Sequence, residues 1–495
     1  MSLKILLGVG ALCVSASLIL AGCTTVGPNY QAPSVPVPSD WQSIQPAAAP
    51  PATQPNHDLR LAQWWQVFDD PQLTRLIDKA LANNKDVKQA EGRVREAQAV
   101  SYTHLRASDV YKRQSLGTKA GANRNGSSSE AGLGLTNNVF SSGFDASWEA
   151  DLFGGKRRAL EAADAQTQAS EADLADVQVT LTAEVGLNYL NLRAYETRLA
   201  VAQSNLKIQV DTRDIANWRH LAGLTTQLDV DQATTTLEQT RAQIPPLETL
   251  IAQTKNQIAV LLGLNPEQGP ALTPSPIPHA NAAIALGFPA ELLRRRPDIR
   301  RAERQLAAQT AQIGVATAAQ YPNFSLSGSL GLAAMAAGNL FTAGAKTFAL
   351  GSNATWTAFD AGRIRQNILV QSALQEQALG RYEATVLTAF LQVENTLTAY
   401  AREQERQVAL KRAVAAAQNA EVLARNQYAA GLVSFQTVLD TQKSLLTLQD
   451  QQVISEAAVS TDLVQLYKAL GGGFAAKSPA TPSSPAPSEL EHSIL

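Results

Sequence analysis

Three groups of residues in this chain carry usable chemistry, and none of them is arranged for catalysis. The first is Asp145, Ser147, Glu149 and Asp151, spaced two apart. On an extended strand, residues two apart share a face, so these form a row that needs water. Between them Phe144, Ala146, Trp148, Ala150 and Leu152 form an apolar row. This is the dyad pattern of a membrane barrel strand, polar inside and apolar outside; an amphipathic strand of a soluble sandwich is the alternative. The second group is Asp440, with the apolar Phe435 and Leu439 beside it, and Asp229 and Asp231 earlier in the chain. Copies of Asp440 facing each other across a symmetric opening would narrow it and attract cations. A helix N-cap is the other role open to Asp440. The third is the thiol of Cys23. His57, His104, His220, His279 and His492 are isolated, and no pair has metal-ligand spacing. No nucleophile–base pair or phosphate loop is present, so no catalytic role, metal or soluble cofactor is expected.

The elements that must position these groups are long helices broken at short tips. Tyr428–Asp440 interrupts two helical patterns, one running from about Arg363 and the other to about Leu470. His220–Leu224 is a weaker copy of Tyr428–Leu432, with Gly223 and Gly431 supplying the positive φ of a tight turn. The copy belongs to a whole internal repeat. Asp86, Ala90 and Glu91 align with Asp298, Ala302 and Glu303; Trp148 aligns with Trp356, Arg158 with Arg365, and Leu262-Gly263 with Leu470-Gly471. Each half reads as helix, β-hairpin, long helix, tip, shorter helix. Phe324, Leu326, Gly328, Leu330 and Leu332 alternate with Ser325, Ser327, Ser329 and Gly331, and Phe348 to Ala358 alternates likewise.

The helix after Gly155 runs to about His220, with Val185, Leu192, Leu199 and Leu206 seven apart as a coiled-coil seam. Its length of about 100 Å is several times a bilayer core of about 30 Å. It is charged throughout, so it must stand in water. Pro245-Pro246 should kink the next helix. Asp70 with Pro71 should start a helix striped by Leu73, Leu76, Ile77, Ala80 and Leu81. Arg295-Arg296 reads as a solvated face or as the lead into a helix opened by Pro297-Asp298.

Composition agrees with this layout. Aromatics are 6% of the 495 residues, which suits long helices packed through small side chains and does not suit a thick enzyme core. A net charge of −2 gives no support to nucleic-acid binding. Both cysteines, Cys13 and Cys23, lie at the N-terminus, so no disulfide framework is expected. Residues 1–22 have Lys4 and then an apolar run from Ile5 to Leu20, which reads as a signal peptide. Leu20-Ala21-Gly22-Cys23 resembles the bacterial lipoprotein box, which implies a covalent lipid on Cys23 and an anchor in lipid. No aspartate follows directly, since Thr24 and Thr25 do, so the inner-membrane retention signal of enteric lipoproteins is absent. The expected division is 1–22 signal peptide; 23–62 lipidated extended segment; 63–270 first repeat, with strands about 115–153 and long helices about 156–263; 271–473 second repeat, with strands about 323–360 and helices about 363–470; and 474–495 disordered tail. Four strands cannot close a barrel, and an open edge cannot stand in lipid, so closure needs further copies of the chain.

On Leu20–Cys23, Val26-Gly27-Pro28-Asn29-Tyr30, Trp64-Trp65, Asp70-Pro71, Arg295 to Glu303, Tyr321-Pro322, Asp360-Ala361-Gly362 and the two tips, the chain resembles the TolC-like outer-membrane efflux channels, in the NodT-type lipoprotein branch associated with RND efflux systems. The resemblance implies a mainly α fold with a small β part: a long coiled-coil helical barrel plus a transmembrane β-barrel completed by trimerisation, with four strands per chain and an internal two-fold repeat. It implies a passive trimeric exit duct carrying small molecules such as drugs from periplasm to exterior. Its partners would be two further copies, a periplasmic adaptor (membrane fusion) protein, an inner-membrane pump of the RND type and outer-membrane lipid. It implies a periplasmic gate at Asp440, Leu439, Phe435, Asp229 and Asp231. It also implies adaptor contact at Gly223, Leu224, Thr225, Gly431, Leu432 and Val433, and a lumen face at Asp145, Ser147, Glu149 and Asp151. A structural or adaptor coiled-coil lipoprotein without a pore is the competing reading.

Val100–Gln114 fits neither the helix before it nor the hairpin after it. Asp109-Val110 stands where the repeat has Tyr321-Pro322, and the expected proline is missing. Val100–Leu105 can be written GTC TCT TAT ACA CAT CTN, and Asp109–Gln114 can be written GAT GTG TAT AAG AGA CAG. These are reverse complements over almost their whole length and look like the transposon ends used to build sequencing libraries. The segment is therefore read as an assembly artefact, and no function is placed on His104 or Tyr111. An uninterrupted read through the locus is expected to return other codons here; recovery of the same ones would make the segment native.

Overall fold

The computed structural model describes residues 25–36, 61–108, 115–126, 136–280 and 295–474. The signal peptide, Cys23, the rest of the Pro/Ala-rich stretch, the hand-over at 109–114 and the C-terminal tail lie outside these residues. The chain divides into two compact units. One comprises residues 1–36, 90–174 and 298–386; the other comprises 37–89, 175–297 and 387–495.

The first unit carries a four-stranded antiparallel sheet: β1 (Ser115–Gly126), β2 (Thr136–Ala150), β3 (Asn323–Ala334) and β4 (Lys346–Thr355), paired in that order. The two hairpins of the repeat meet at β2 and β3, with Asp145 opposite Ser329 and Trp148 opposite Leu326. Since side chains alternate, the register sorts the sheet into two faces. One has Asp145, Ser147 and Glu149 opposite Ser329, Ser327 and Ser325. The other has Phe144 and Trp148 beside Leu330 and Leu326, with Phe348 opposite Leu330 on β4. Phe348, Leu350 and Leu330 are 86%, 79% and 66% exposed, so the apolar face is uncovered in a single chain. Among the described residues, no further strand pairs with the outer edge of β1 or of β4.

Helices enter this unit through α2 (Lys85–Ser108), α6 (Pro297–Ala318) and parts of α3 (Gly155–Leu221) and α7 (Arg363–Ala429). Asp173 on α3 ties two of them. Arg93 of α2 and Arg301 of α6 each donate to it at 2.7 Å.

The second unit holds the two helical hairpins. α3 and α7 are uninterrupted and both are 67 residues long, as the repeat requires. α8 (Phe435–Ala469) returns from the second tip. The return from the first tip is divided into α4 (Gln227–Arg241) and α5 (Ile244–Leu261). The expected kink is thus a full break, and Pro245 and Pro246 sit in the first turn of α5, where a missing N–H has no helical partner to lose. The short α1 (Pro71–Asn83) starts as expected: Asp70 Oδ1 accepts from Gln72 N at 2.7 Å and from Leu73 N at 3.2 Å. Its other oxygen accepts from the Tyr189 hydroxyl of α3 at 2.6 Å, so one carboxylate caps a helix and docks it. Trp64 is fully buried and stacks on Tyr467 of α8 with centroids 5.8 Å apart.

One open reading is decided here and one sequence expectation changes. Arg296 is not on a solvated face: it is buried, and its guanidinium donates to Ala469 O at 2.6 Å and Gln392 Oε1 at 2.8 Å, closing the end of α8. Val185 and Leu192 are fully buried, but Leu199 and Leu206 are only partly covered. The buried line of α3 continues instead through Ala202, Asn205, Gln209, Thr212 and Ala216. These small and polar residues let α8 bond sideways: Gln442 Nε2 donates to Thr212 Oγ1 at 3.0 Å, Asn205 Nδ2 to Gln449 Oε1 at 2.9 Å, and Arg198 Nε to Asp450 at 2.6 Å.

Burial alone would raise the Asp173 pKa, but the bonds from Arg93 and Arg301 outweigh it and hold the carboxyl below its ordinary range. A lowered carboxyl pKa adds stability above the unfolded value and loses it as pH falls through the folded one. Asp173→Asn is therefore expected to lower the thermal midpoint at pH 7, with the gap from the native chain closing below about pH 4. Melting curves across pH check this; a constant gap down to pH 3 would contradict it.

Candidate functional sites: hairpin tips and the polar sheet face

Both tips use one backbone design. At the first, Leu224 N donates to Arg219 O at 2.8 Å and Gly223 N to His220 O at 2.8 Å. At the second, Leu432 N donates to Gln427 O at 2.9 Å and Gly431 N to Tyr428 O at 3.0 Å. Gly223 and Gly431 share φ of +73°. This paired closure of a helix C-terminus by a left-handed glycine satisfies carbonyls that would otherwise be orphaned. An added Cβ would meet no neighbour at either glycine, so it is the backbone angle, not space, that calls for glycine.

The tips are joined within one chain. Ala216, Val230, Ala233, Phe435 and Leu439 form a buried cluster with Tyr428 packed on it. The Tyr428 and Phe435 rings lie 5.2 Å apart, and the Arg219 guanidinium lies 4.7 Å above Tyr428. Burial raises the Tyr428 pKa, while Arg219 pulls it down and Asp229 pushes it up. The predicted gate residues therefore divide. Phe435 and Leu439 are 4% and 5% exposed and belong to this inter-hairpin core. Asp440 is exposed and accepts from Gln436 Nε2 at 2.8 Å. It is not an N-cap, because Ser434 occupies that position. Asp229 is half-buried and accepts from Thr225 Oγ1, whereas Asp231 is exposed and accepts from Gln227 Nε2 at 3.0 Å.

Among the predicted tip contacts, Gly223, Leu224, Gly431 and Leu432 are exposed, and Thr225 and Val433 are half-buried. Trp218, Leu221 and Leu228 were not singled out in the sequence, yet they are 66%, 76% and 63% exposed. The first tip thus exposes Trp218, Leu221, Leu224 and Leu228, whereas the second exposes Leu432 and buries Phe435 and Leu439. The sequence signal was Trp218 and Leu221, three apart and off the buried line through Thr212 and Ala216.

On the polar sheet face, Asp145 pairs with Lys119 of β1 at 2.7 Å. Glu149 accepts from Asn323 Nδ2 at 2.6 Å, with Lys156 at 3.5 Å. Ser147 lies opposite Ser327. Asp151 departs from its predicted place. It lies beyond the end of β2 and accepts from Arg157 N at 3.0 Å, so it closes the first turn of α3 rather than continuing the strand row.

Comparison with known proteins accounts for this combination of sheet and hairpins. Residues 76–264 and 288–472, the two repeats, match the family described as "Outer membrane efflux protein". The chain belongs to that family. It is 34% identical to the pyoverdine export outer membrane protein OpmQ of Pseudomonas putida, over 94% of this chain and 97% of the relative. It is 30% identical to nodulation protein T of Rhizobium leguminosarum bv. trifolii, over 92% and 96%. Among solved structures it is similar to the outer-membrane channel OprN, with a TM-score of 0.84, 34% identity and coverage of 91% and 100%. It is also similar to the open state of the Neisseria gonorrhoeae MtrE outer membrane channel, with a TM-score of 0.80, 28% identity and coverage of 91% and 98%.

As an outer membrane efflux protein, the chain has the fold class expected of it: mainly helical, with a small four-stranded sheet that trimerisation completes into a barrel. The family is one of channel proteins. Phe435→Ala would leave a cavity in a core shared by both hairpins, at about 3–5 kcal/mol for a buried phenylalanine. It is expected to loosen the tips and raise uptake of a large antibiotic normally excluded by the outer membrane. Minimum inhibitory concentration against cells producing the variant checks this, and unchanged uptake would separate this core from closure.

Proposed function

We propose that the chain is the outer-membrane exit duct of a tripartite efflux pump, lipid-anchored through Cys23, with its helices in the periplasm. The observation that carries this reading is the sheet. One face is apolar and exposed, the other bears Asp145, Ser147 and Glu149, and among the described residues neither outer edge is paired. Lipid accepts the first face, water the second, and only ring closure satisfies the edges. Three copies of four strands give twelve, wide enough for a lumen, whereas eight would be filled by side chains.

The hairpin tips then meet a periplasmic adaptor, coupled to an inner-membrane pump of the RND type. The exposure of Leu224 and Leu432 at the two tips supports this contact. The duct supplies a passage and the pump supplies the energy. Relatives are named for export of pyoverdine, toluene and antibiotics, which supports small, chemically diverse cargo. Asp440 supplies a negative ring at the periplasmic opening, since three like charges across a narrow lumen select cations.

Single-channel recording of the purified trimer in planar bilayers tests the duct. Cation-selective steps are expected, larger after Asp440→Ala; a trimer silent in both forms would indicate a poreless coiled-coil lipoprotein instead. In cells, Asp440→Ala is expected to raise antibiotic leakage more than Asp229→Ala, because Asp229 is already engaged by Thr225 of its own tip. Equal leakage from the two would mean that both tips share the gate.

A further inference from the structure

Residues 25–30 are irregular chain without a core of their own, yet the sheet-bearing unit holds them at several points. Val26 N donates to Phe153 O at 3.1 Å. Arg158, in the first turn of α3, is only 4% exposed and turns its fork onto this segment. Its Nε donates to Val26 O at 3.1 Å, and its Nη2 donates to Gly27 O at 3.2 Å and Asn29 Oδ1 at 2.7 Å. Glu161 balances the charge at 2.7 Å. Gly27 has φ of +87° and rests on Gly314 of α6, where an added Cβ would stand 2.4 Å from the Gly314 Cα. Thr25 rests on Gly154 at the β2–α3 junction. Tyr30 donates to Glu303 Oε1 at 3.1 Å, with Arg304 over its ring.

These bonds fix the position of residues 25–30. The place they fix is marked by aromatic rings. Phe153 stacks on Tyr321 at 4.5 Å, and Trp356, 59% exposed, donates Nε1 to Gln320 O at 3.0 Å. Exposed Tyr and Trp at the strand ends are the composition of a membrane–water interface. Cys23 is two residues before Thr25, a reach of at most about 7 Å. Freed over residues 25–36, the same tether would gain roughly 40 Å, more than the bilayer core of about 30 Å.

We propose that residues 25–30 are a clasp that sets the height of the lipid anchor, delivering acylated Cys23 to the bilayer interface beside the β2–α3 junction, with Arg158 as the positioning residue. This rests on the lipoprotein reading above. A short tether makes the acyl chains and the apolar sheet face enter lipid in register; a long one leaves them uncoupled.

The test uses the full-length chain in a Gram-negative host, with radiolabelled palmitate incorporation and heat-sensitive trimer in the outer-membrane fraction as readouts. Arg158→Met keeps the apolar stem and removes the fork. Inserting six Gly/Ser residues between Thr24 and Thr25 leaves the clasp intact and lengthens only the tether. Cys23→Ser is the unlabelled control. Both the Arg158→Met and the insertion chains are expected to take up palmitate as the native chain does, while their trimer falls about five-fold or more. Native trimer yield from the insertion chain would overturn the proposal even if Arg158→Met fails, since Arg158 would then serve folding alone. No palmitate on the native chain would refute the lipoprotein reading and the clasp with it.

Discussion

The sheet is governed by one constraint, the pairing of its own backbone. A strand edge in lipid has no water to take its N–H and C=O groups, and each unsatisfied group costs several kcal/mol. β1 and β4 leave such edges, so a single chain cannot be the finished object. Pairing of β2 with β3 joins the two repeats and brings Asp145, Ser147 and Glu149 onto the face shared with Ser325, Ser327 and Ser329. Closure by further copies completes the barrel, and on the proposed reading that shared face lines its lumen. On the same reading the exposed Phe348, Leu350 and Leu330 face lipid.

The helices obey a different constraint. They are too long and too charged to cross a membrane, and among the described residues no helix is long and apolar enough to do so. They stand by lateral bonding. The seam of α3 is made of Ala202, Asn205, Gln209, Thr212 and Ala216 rather than a leucine zipper, with Thr212, Asn205 and Arg198 bonded to α8. Such a seam gives less apolar burial per turn than leucine and more directional bonding. It suits helices that must keep register along a wall without closing into a solid core. At the tips the balance shifts back, because Phe435, Leu439 and Tyr428 form an apolar latch between the hairpins.

The same contrast explains which residues were legible. The repeat, the tips, the strand alternation and the capping roles of Asp70 and Gly431 rest on local spacing and local dihedral preference, which travel with the sequence. The roles of Phe435, Leu439, Asp151 and Arg296 do not. Phe435 and Leu439 sit at helix positions that could face a lumen or a neighbouring hairpin, and periodicity alone does not name the face. Asp151 keeps the alternation of its strand by position, but the strand ends one residue earlier and its carboxylate turns to the Arg157 amide. Arg296 looks solvated beside Arg295, yet it closes the end of a helix that lies far away in sequence.

By itself the sequence determined the two-fold repeat, which the chain shows when compared with itself, and the long charged helices, the two-faced strands and the glycine tips, because each of these elements depends on residues within a few positions of one another. Only the tertiary structure decided which side of each tip faces inward, where the buried line of α3 runs, and that Thr25–Tyr30 is bonded to Arg158 rather than left as a free tether. Those outcomes depend on contacts between residues more than a hundred positions apart, whose geometry exists only once the strands and hairpins have packed.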